Sequence, residues 1–121
     1  MTMAAKYRIY HNPRCTKSRQ TLALLQDAGI TPEILLYLDS PPSPKELSQL
    51  IAQLGFDSAR QLIRTGEPLY KELSLADPKL SEAQLIAAMV EHPKLIERPI
   101  VAKDNKAILG RPPENVLNLI G

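Results

Sequence analysis

The sequence contains one cysteine, Cys15, and the residues around it could activate its sulfur. Arg14 precedes it, Lys17 and Arg19 follow it, and His11 lies four residues upstream, where a turn could fold its ring toward the sulfur. A cysteine reacts as its thiolate, and neighbouring positive charge lowers the thiol pKa from its usual value of about 8.5. Inert buried cysteines are usually embedded among apolar residues. We therefore predict that Cys15 is a nucleophile.

The spacing around Cys15 separates the possible kinds of thiol chemistry. A single cysteine excludes an intramolecular disulfide and a multi-cysteine zinc site, and with two histidines we expect no metal site. A Cys-x-x-Cys dithiol is excluded because residue 18 is Ser18, and a Cys-x5-Arg phosphatase loop is excluded because Thr21 occupies the arginine position. A monothiol Cys-x-x-Ser arrangement remains, in which Ser18 could donate a hydrogen bond to the thiolate.

The charge distribution indicates the kind of partner. Residues 1–26 contain five basic residues and no acidic residue, although the net charge of the chain is only +2. Proteins that bind nucleic acid are usually more basic, with a pI above about 9 and interleaved aromatic residues. Here the pI is about 8.8 and aromatic residues make up 4% of the chain. We expect a small anion as ligand, and no nucleic acid.

Three later arginines lie at the start or the end of predicted elements. Arg64 ends a helical stretch, Arg98 precedes Pro99, and Arg111 precedes Pro112. Guanidinium groups bind oxyanions through paired hydrogen bonds, and side chains at element ends can converge on one site. From position alone, a solvated surface charge is the alternative for each of them.

The elements before and after Cys15 explain why it should be accessible. Residues 6–10 are rich in strand-forming types, and residues 16–28 form a predicted helix that Gly29 ends. Cys15 thus lies at a helix N-terminus, where free backbone amides can bind an oxyanion. The apolar run of residues 34–38 predicts a strand buried on both faces, which completes a parallel β-α-β unit.

The middle of the chain, about residues 43–92, is predicted to be a helical insertion. Ser43 and Ser81 begin capping-box motifs that precede helical repeats of apolar residues. Asp57 could cap a shorter helix that Gly66 ends, and residues 70–75 could form a helical turn.

The last part of the chain predicts a β-hairpin followed by a helix. Residues 100–102 and 107–109 are its strands, joined by a turn at Asp104-Asn105. Pro112-Pro113 opens the final helix, whose predicted apolar side consists of Val116, Leu117 and Ile120. The order β-α-β, helices, β-β-α predicts one α/β domain over residues 1–121. No apolar run could span a membrane, and the start does not resemble a signal peptide, so we expect a cytoplasmic protein.

Motifs along nearly the whole chain resemble the ArsC family of glutaredoxin-dependent arsenate reductases. They are residues 10–15 (Tyr-His-Asn-Pro-Arg-Cys) with Ser18-Arg19, residues 36–38 before Pro41-Pro42, residues 62–64, His92-Pro93, residues 97–101 (Glu-Arg-Pro-Ile-Val) and residues 110–112 (Gly-Arg-Pro). The resemblance implies a thioredoxin-like fold with the helical insertion. It implies Cys15 as nucleophile, His11 as the group that favours its thiolate, Ser18 and Arg19 as supporting residues, and a cis peptide bond before Pro99. It further implies an oxyanion site formed by Arg64, Arg98 and Arg111.

The family mechanism would need no bound cofactor. Cys15 would attack arsenate or a related small oxyanion, glutathione would act as co-substrate, and arsenite would leave behind a mixed disulfide that glutaredoxin reduces. Arg14, Lys17 and Gly110 depart from the family pattern and resemble a related branch. Two alternatives stand beside this reading. One is a thiol-stress regulatory module that binds RNA polymerase, although such modules usually carry Cys-x-x-Cys, and the other is a monothiol glutathione-dependent oxidoreductase without arsenate specificity.

Overall fold

The computed structural model of the chain describes residues 6–120. They form two compact units. The sheet unit contains the described residues up to Tyr37 and from Arg98 onward, and the helical unit is Leu38–Glu97. The start of the chain, where we expect no signal peptide, lies partly outside the described residues. The prediction of one domain with an insertion at residues 43–92 stays a prediction.

The sheet unit contains the elements β1 (Tyr7–Tyr10), α1 (Thr16–Asp27), β2 (Glu33–Leu35), β3 (Ile100–Lys103) and β4 (Lys106–Leu109). The strands form a four-stranded mixed sheet in the order β2-β1-β3-β4. Strand β1 is parallel to β2 and antiparallel to β3, and β3 is antiparallel to β4. The predicted β-α-β unit and the predicted hairpin are both present, so the α/β class is confirmed.

The strand register brings three chain segments together at one end of the sheet, where β1 and β4 end and β3 begins. Tyr10, at the end of β1, pairs with Ile100, which pairs with Leu109 at the end of β4. The amide of Gly110 donates to the carbonyl of Pro99 over 2.9 Å and extends this ladder by one bond. Three segments therefore lie at this end of the sheet: the loop after β1, the segment before β3 and the segment after β4.

Helix α1 packs through a face that is partly polar. Its buried residues are Ser18, Thr21 and Leu25, which are three and four positions apart and so share one face. Gly29 follows the helix with φ +81°, a left-handed conformation that glycine adopts readily and that ends helices. The buried core that includes Leu25 also contains Ile9, Val101, Val116 and Leu119.

Two predictions about the sheet unit were wrong. The run at residues 34–38 gives only the three-residue strand β2, which lies at the sheet edge with Ile34 46% and Leu36 41% exposed. An edge strand has a neighbour on one side only, whereas the apolar run suggested burial on both faces.

The final helix is a 3-10 helix, Pro113–Asn118. With three residues per turn, Pro113, Val116 and Leu119 face the core, and Leu117 is 51% exposed.

The helical unit begins its two longer helices at the predicted serines. Its elements are α2 (Pro44–Gln53), a 3-10 helix (Ala59–Gln61), α3 (Pro68–Glu72), α4 (Glu82–Glu91) and a 3-10 helix (Pro93–Leu95). The Ser43 hydroxyl accepts from the Glu46 amide, and the Ser81 hydroxyl accepts from the Gln84 amide, both over 3.1 Å. The Gln84 side chain accepts in turn from the Ser81 amide, which completes the predicted capping box.

The shorter elements of the helical unit differ from prediction. The helix expected to begin at Asp57 is a three-residue 3-10 helix capped by Ser58, whose hydroxyl accepts from the Arg60 amide. Helix α3 begins earlier than the predicted turn, because Pro68 supplies a backbone already suited to the first helical position. Within residues 6–120, no helix combines the length and the apolar composition needed to cross a membrane.

Candidate active site

Cys15 occupies the N-cap position of α1 and is partly exposed. Its backbone amide donates to the carbonyl of Asn12 over 2.9 Å, and its carbonyl accepts from the amide of Arg19 over 3.0 Å. These bonds close the loop between β1 and α1 and fix the Cys15 backbone at the start of the helix. The predicted placement of Cys15 beyond a strand and at a helix N-terminus is confirmed.

The surroundings of the sulfur favour its thiolate form. Burial raises the pKa of the Cys15 thiol, but the backbone amide of Ser18 and the charge of Arg98 lower it, and the amide of Lys17 adds to them. The guanidinium of Arg98 also donates toward the sulfur. The lowering effects outweigh burial, so the pKa lies below that of an ordinary thiol.

His11 and Ser18 form a buried pair that joins the loop after β1 to the first turn of α1. The Nδ1 atom of His11 lies 2.6 Å from the Ser18 hydroxyl oxygen, which also accepts from the Asn12 amide over 3.0 Å. Burial, helped by the charge of Arg19, lowers the pKa of His11, so its imidazole is neutral near pH 7. His11 therefore joins the loop to the first turn of α1, and its role in favouring the thiolate of Cys15 stays a prediction. The Ser18 backbone amide interacts with the sulfur, whereas the Ser18 hydroxyl bonds to His11 and Asn12, and its predicted donation to the thiolate stays a prediction.

Arg19 supports the loop from outside. Its guanidinium donates to the carbonyl of Pro13 over 2.8 Å and to the hydroxyl of Thr16 over 3.2 Å. These contacts tie the first turn of α1 back to the segment that precedes Cys15. Arg19 thus stabilises the cysteine loop through these contacts, and its supporting role in the site stays a prediction.

The strand register places Arg98 and Arg111 at the end of the sheet where β1 ends, which is also where the cysteine loop begins. Arg98 is half-buried and leads into β3, and Arg111 is exposed and follows β4. The peptide bond between Arg98 and Pro99 is cis, as the family resemblance implies, and so is the bond between Arg111 and Pro112. Arg98 interacts with the sulfur of Cys15 through its charge and through a side-chain hydrogen bond.

Arg64 lies in the helical unit and has acidic partners there. Its Nη1 atom is 3.5 Å from a carboxylate oxygen of Glu67, and its Nε atom is 4.0 Å from one of Glu97. Nη1 is also 3.5 Å from the carbonyl of Lys94. These contacts orient the guanidinium within the helical unit, and its part in an oxyanion site stays a prediction.

Thr21, whose burial the sequence did not predict, packs against the segment after β4. Thr21 is fully buried in α1, and its hydroxyl donates to the carbonyl of Lys17 over 2.8 Å and lies 3.4 Å from that of Gly110. A signal for Thr21 was present in the spacing of Ser18, Thr21 and Leu25, but periodicity arguments weigh apolar residues and so pass over a polar helix face. Among residues 6–120, no cluster of three or more His, Cys, Asp and Glu side chains could hold a metal ion.

Comparison with known proteins identifies the family. The family model for the ArsC family matches residues 10–119. The chain is 56% identical to the uncharacterized protein YfgD of Escherichia coli K12 over 98% of this chain and 100% of that protein. It is 53% identical to an arsenate reductase of Haemophilus influenzae, over 93% and 97% of the two chains.

Solved structures agree with this result. The structure of an arsenate reductase from Vibrio cholerae superposes with a TM-score of 0.95 at 53% identity, and the match covers 98% of this chain and 100% of that one. This likeness confirms the expected thioredoxin-like fold. On the evidence of the profile match, the relatives and the shared fold, the chain belongs to the ArsC family.

Proposed function

We propose that this chain is an arsenate reductase in which Cys15 attacks the arsenic atom. The observation that carries the proposal is the position of the partly exposed Cys15 thiol at the start of α1, where helix amides and Arg98 favour its thiolate form. The same groups that stabilise a thiolate also attract an oxyanion to the atom beside it. Relatives that are about 50% identical are named arsenate reductase, and these names indicate arsenate as the oxyanion substrate.

Binding arsenate next to a thiolate brings two negative groups together, so the site needs fixed positive charge. Arg98 is already at the sulfur, and we propose that Arg111 and Arg64 complete the oxyanion site. Guanidinium groups suit this role because they keep their charge and bind two oxygens at once. As charge shifts onto the arsenate oxygens during attack, the same hydrogen bonds become stronger.

The reaction needs two sulfur atoms, and this chain supplies one. The Cys15 thiolate forms a sulfur–arsenic bond and displaces one arsenate oxygen, which leaves as water after protonation. Glutathione then joins its sulfur to that of Cys15, and the electron pair of the broken sulfur–arsenic bond reduces As(V) to As(III), released as arsenite. Cys15 is left as a mixed disulfide with glutathione, and we propose that a glutaredoxin thiol exchanges with it to restore the thiolate.

No bound cofactor takes part in this proposal, because glutathione provides the reducing equivalents as a co-substrate. A catalytic thiol that must return to its reduced form works best in a compartment rich in reduced glutathione. We therefore place the protein in the cytoplasm as part of the same proposal.

A second candidate is a glutathione-dependent monothiol oxidoreductase that acts on mixed disulfides without arsenate. The Cys-x-x-Ser spacing favours it, since one reactive sulfur is enough for thiol exchange with a glutathione mixed disulfide. The two candidates differ in one requirement, because only the arsenate reductase needs an oxyanion to consume reducing equivalents.

The deciding experiment couples the purified chain to glutathione, glutaredoxin, glutathione reductase and NADPH. We expect NADPH oxidation that depends on arsenate, requires glutaredoxin, and is lost in Cys15→Ser. Turnover of a glutathione mixed disulfide without arsenate, together with no arsenate-dependent turnover, would establish the second candidate. No arsenate-dependent oxidation at any arsenate concentration would overturn the proposed function.

A further inference from the structure

Gly110 lies where three parts of the site meet and where no side chain fits. It is buried, and a Cβ atom added to it would lie 2.8 Å from Cγ of Pro99 and 2.9 Å from Cγ2 of Thr21. It would also collide with the hydroxyl oxygen of Thr21. Carbon atoms pack favourably at about 3.5 to 4.0 Å, so these distances are too short for any side chain. The restriction is one of space, because the Gly110 backbone is not in the left-handed region.

The residues packed against Gly110 are close in the chain to predicted site residues. Thr21 belongs to α1, whose first residue follows Cys15. Pro99 follows Arg98, which interacts with the Cys15 sulfur. Gly110 itself precedes Arg111, and its amide donates to the carbonyl of Pro99 over 2.9 Å.

We infer that Gly110 is a positioning residue that sets the distance between the Arg98 guanidinium and the Cys15 sulfur. The segment after β4 can touch both Thr21 and Pro99 only because it has no side chain at this point. A Cβ atom would push Pro99 away from α1 and carry Arg98 with it. The consequence for substrate use rests on the proposed function, whereas the consequence for the Cys15 thiol does not.

The inference separates a positioning role from a merely structural one. A glycine that only fills space would affect the free energy of unfolding and leave the ionisation of the thiol unchanged. A glycine that holds Arg98 in place must affect the thiol pKa, since Arg98 lowers it both by charge and by hydrogen bonding. The thiol pKa is measured from the rate of iodoacetamide alkylation as a function of pH.

The test compares Gly110→Ala with Gly66→Ala as a matched control. Gly66 is exposed, and a Cβ atom there would meet nothing within 4 Å. We expect Gly110→Ala to raise the thiol pKa by at least about half a unit, which lowers alkylation roughly threefold at pH values below the pKa. We also expect a KM for arsenate about fivefold higher, because misplaced binding groups weaken substrate positioning. Gly66→Ala should change neither quantity.

A second pair of variants tests the contact itself. Thr21→Ala removes both Thr21 atoms that the new Cβ would meet, so Thr21→Ala/Gly110→Ala should have a thiol pKa between those of Gly110→Ala and the unmodified chain. If Gly110→Ala does not fold, the double variant is compared with Thr21→Ala alone. The double variant should still have the higher pKa, because the contact with Pro99 remains.

The outcomes distinguish this inference from the proposed function. Equal thiol pKa values in Gly110→Ala and Gly66→Ala, or in the double variant and Thr21→Ala when Gly110→Ala is unfolded, would overturn the positioning role even if arsenate is reduced normally. A raised thiol pKa in Gly110→Ala, with no arsenate reduction by the unmodified chain, would support the positioning role and overturn the proposed function.

Discussion

The helix starts of the two units use the same position for different purposes. In the helical unit, Ser43 and Ser81 occupy the N-cap positions, and each hydroxyl accepts from a backbone amide of the first turn. In the sheet unit, Cys15 occupies the N-cap position of α1, where no hydroxyl caps the helix and the first-turn amides of Lys17 and Ser18 lower the pKa of the thiol. The serine caps satisfy the helix, whereas the cysteine leaves first-turn amides to stabilise the negative charge of a thiolate or an oxyanion.

The charges in the first turns differ in the same way. Helices α2 and α4 have Glu46 and Glu82 there, which complement the positive end of the helix dipole. Helix α1 has no acidic residue in its first turn and carries Lys17 instead. The start of α1 is therefore less favourable for the helix and more favourable for an anion, which is the compromise expected at a functional site.

Replacing the cysteine by a serine should break this comparison most strongly. In Cys15→Ser we expect arsenate reduction to fall by at least about 10³-fold, because a hydroxyl cannot replace the thiolate as nucleophile. The free energy of unfolding should stay within about 1 kcal/mol of the unmodified chain, since serine is a favoured N-cap residue. Urea unfolding alongside the coupled assay measures both. Loss of the folded state would contradict the view that residue 15 serves chemistry more than the helix.

Removing Arg98 should have the next largest effect. We expect Arg98→Ala to raise the Cys15 thiol pKa toward its ordinary value and to lower kcat/KM for arsenate by about 10- to 100-fold, because charge and hydrogen bonds are both lost. Arg98→Lys keeps the charge, so its thiol pKa and its kcat/KM should lie between those of Arg98→Ala and those of the unmodified chain. Iodoacetamide alkylation across pH values and the coupled assay report these changes. An unchanged pKa in Arg98→Ala would show that the helix amides alone activate the thiol.

The serine cap of α4 should affect stability without affecting activity. We expect Ser81→Ala to lower the free energy of unfolding by about 1 kcal/mol, because the Gln84 amide loses its acceptor. Ser48→Ala, at an exposed position inside α2, is the matched control and should be neutral or slightly stabilising. Urea unfolding measures both variants. A loss of kcat/KM in Ser81→Ala while the chain remains folded would contradict the assignment of this cap to the helix alone.

The smallest predicted effect concerns Glu82, whose carboxylate accepts from the Ala59 amide and the Ser58 hydroxyl, each over 2.7 Å. These bonds lower the pKa of Glu82. The carboxylate therefore stabilises the folded state above its unfolded pKa of about 4.3, and this contribution is lost as the pH falls through the lower folded value.

Glu82→Gln should thus be less stable than the unmodified chain at pH 7, by less than about 1 kcal/mol because the group is exposed. The difference should shrink as the pH falls below about 4. Urea unfolding at pH 7 and at pH 3 measures it, and a difference that is equal at both pH values would show that the ionised form of Glu82 has no special role.

The features that the sequence predicted well depend on neighbouring residues. Gly29 ends α1, Ser43 and Ser81 cap their helices, and Asp104 adopts the left-handed turn conformation between β3 and β4. Each of these signals acts over a few residues, so it can be read without knowledge of the fold. The position of Cys15 at a helix start followed from signals of the same kind.

The features that the sequence did not predict depend on distant residues. An apolar run does not show whether its strand will have one neighbour or two, so the exposure of Ile34 was missed. The spatial demand on Gly110 comes from Thr21, 89 residues away in the chain. Likewise, the hydroxyl of Ser18 is occupied by His11, a contact that spacing alone did not reveal.

The complete burial of Ser18 has a consequence for the order of events during catalysis. Position 18 is where a dithiol enzyme carries its second sulfur, and here Ser18 is fully buried, whereas Cys15 is partly exposed, so sulfur exchange takes place at Cys15. In the proposed reaction, glutathione must reach the Cys15 sulfur while arsenic is still bonded to it, and glutaredoxin reacts only after arsenite has left. Under that proposal only the glutaredoxin step is a double displacement, because glutaredoxin reacts with the mixed disulfide that remains on Cys15 after arsenite has left.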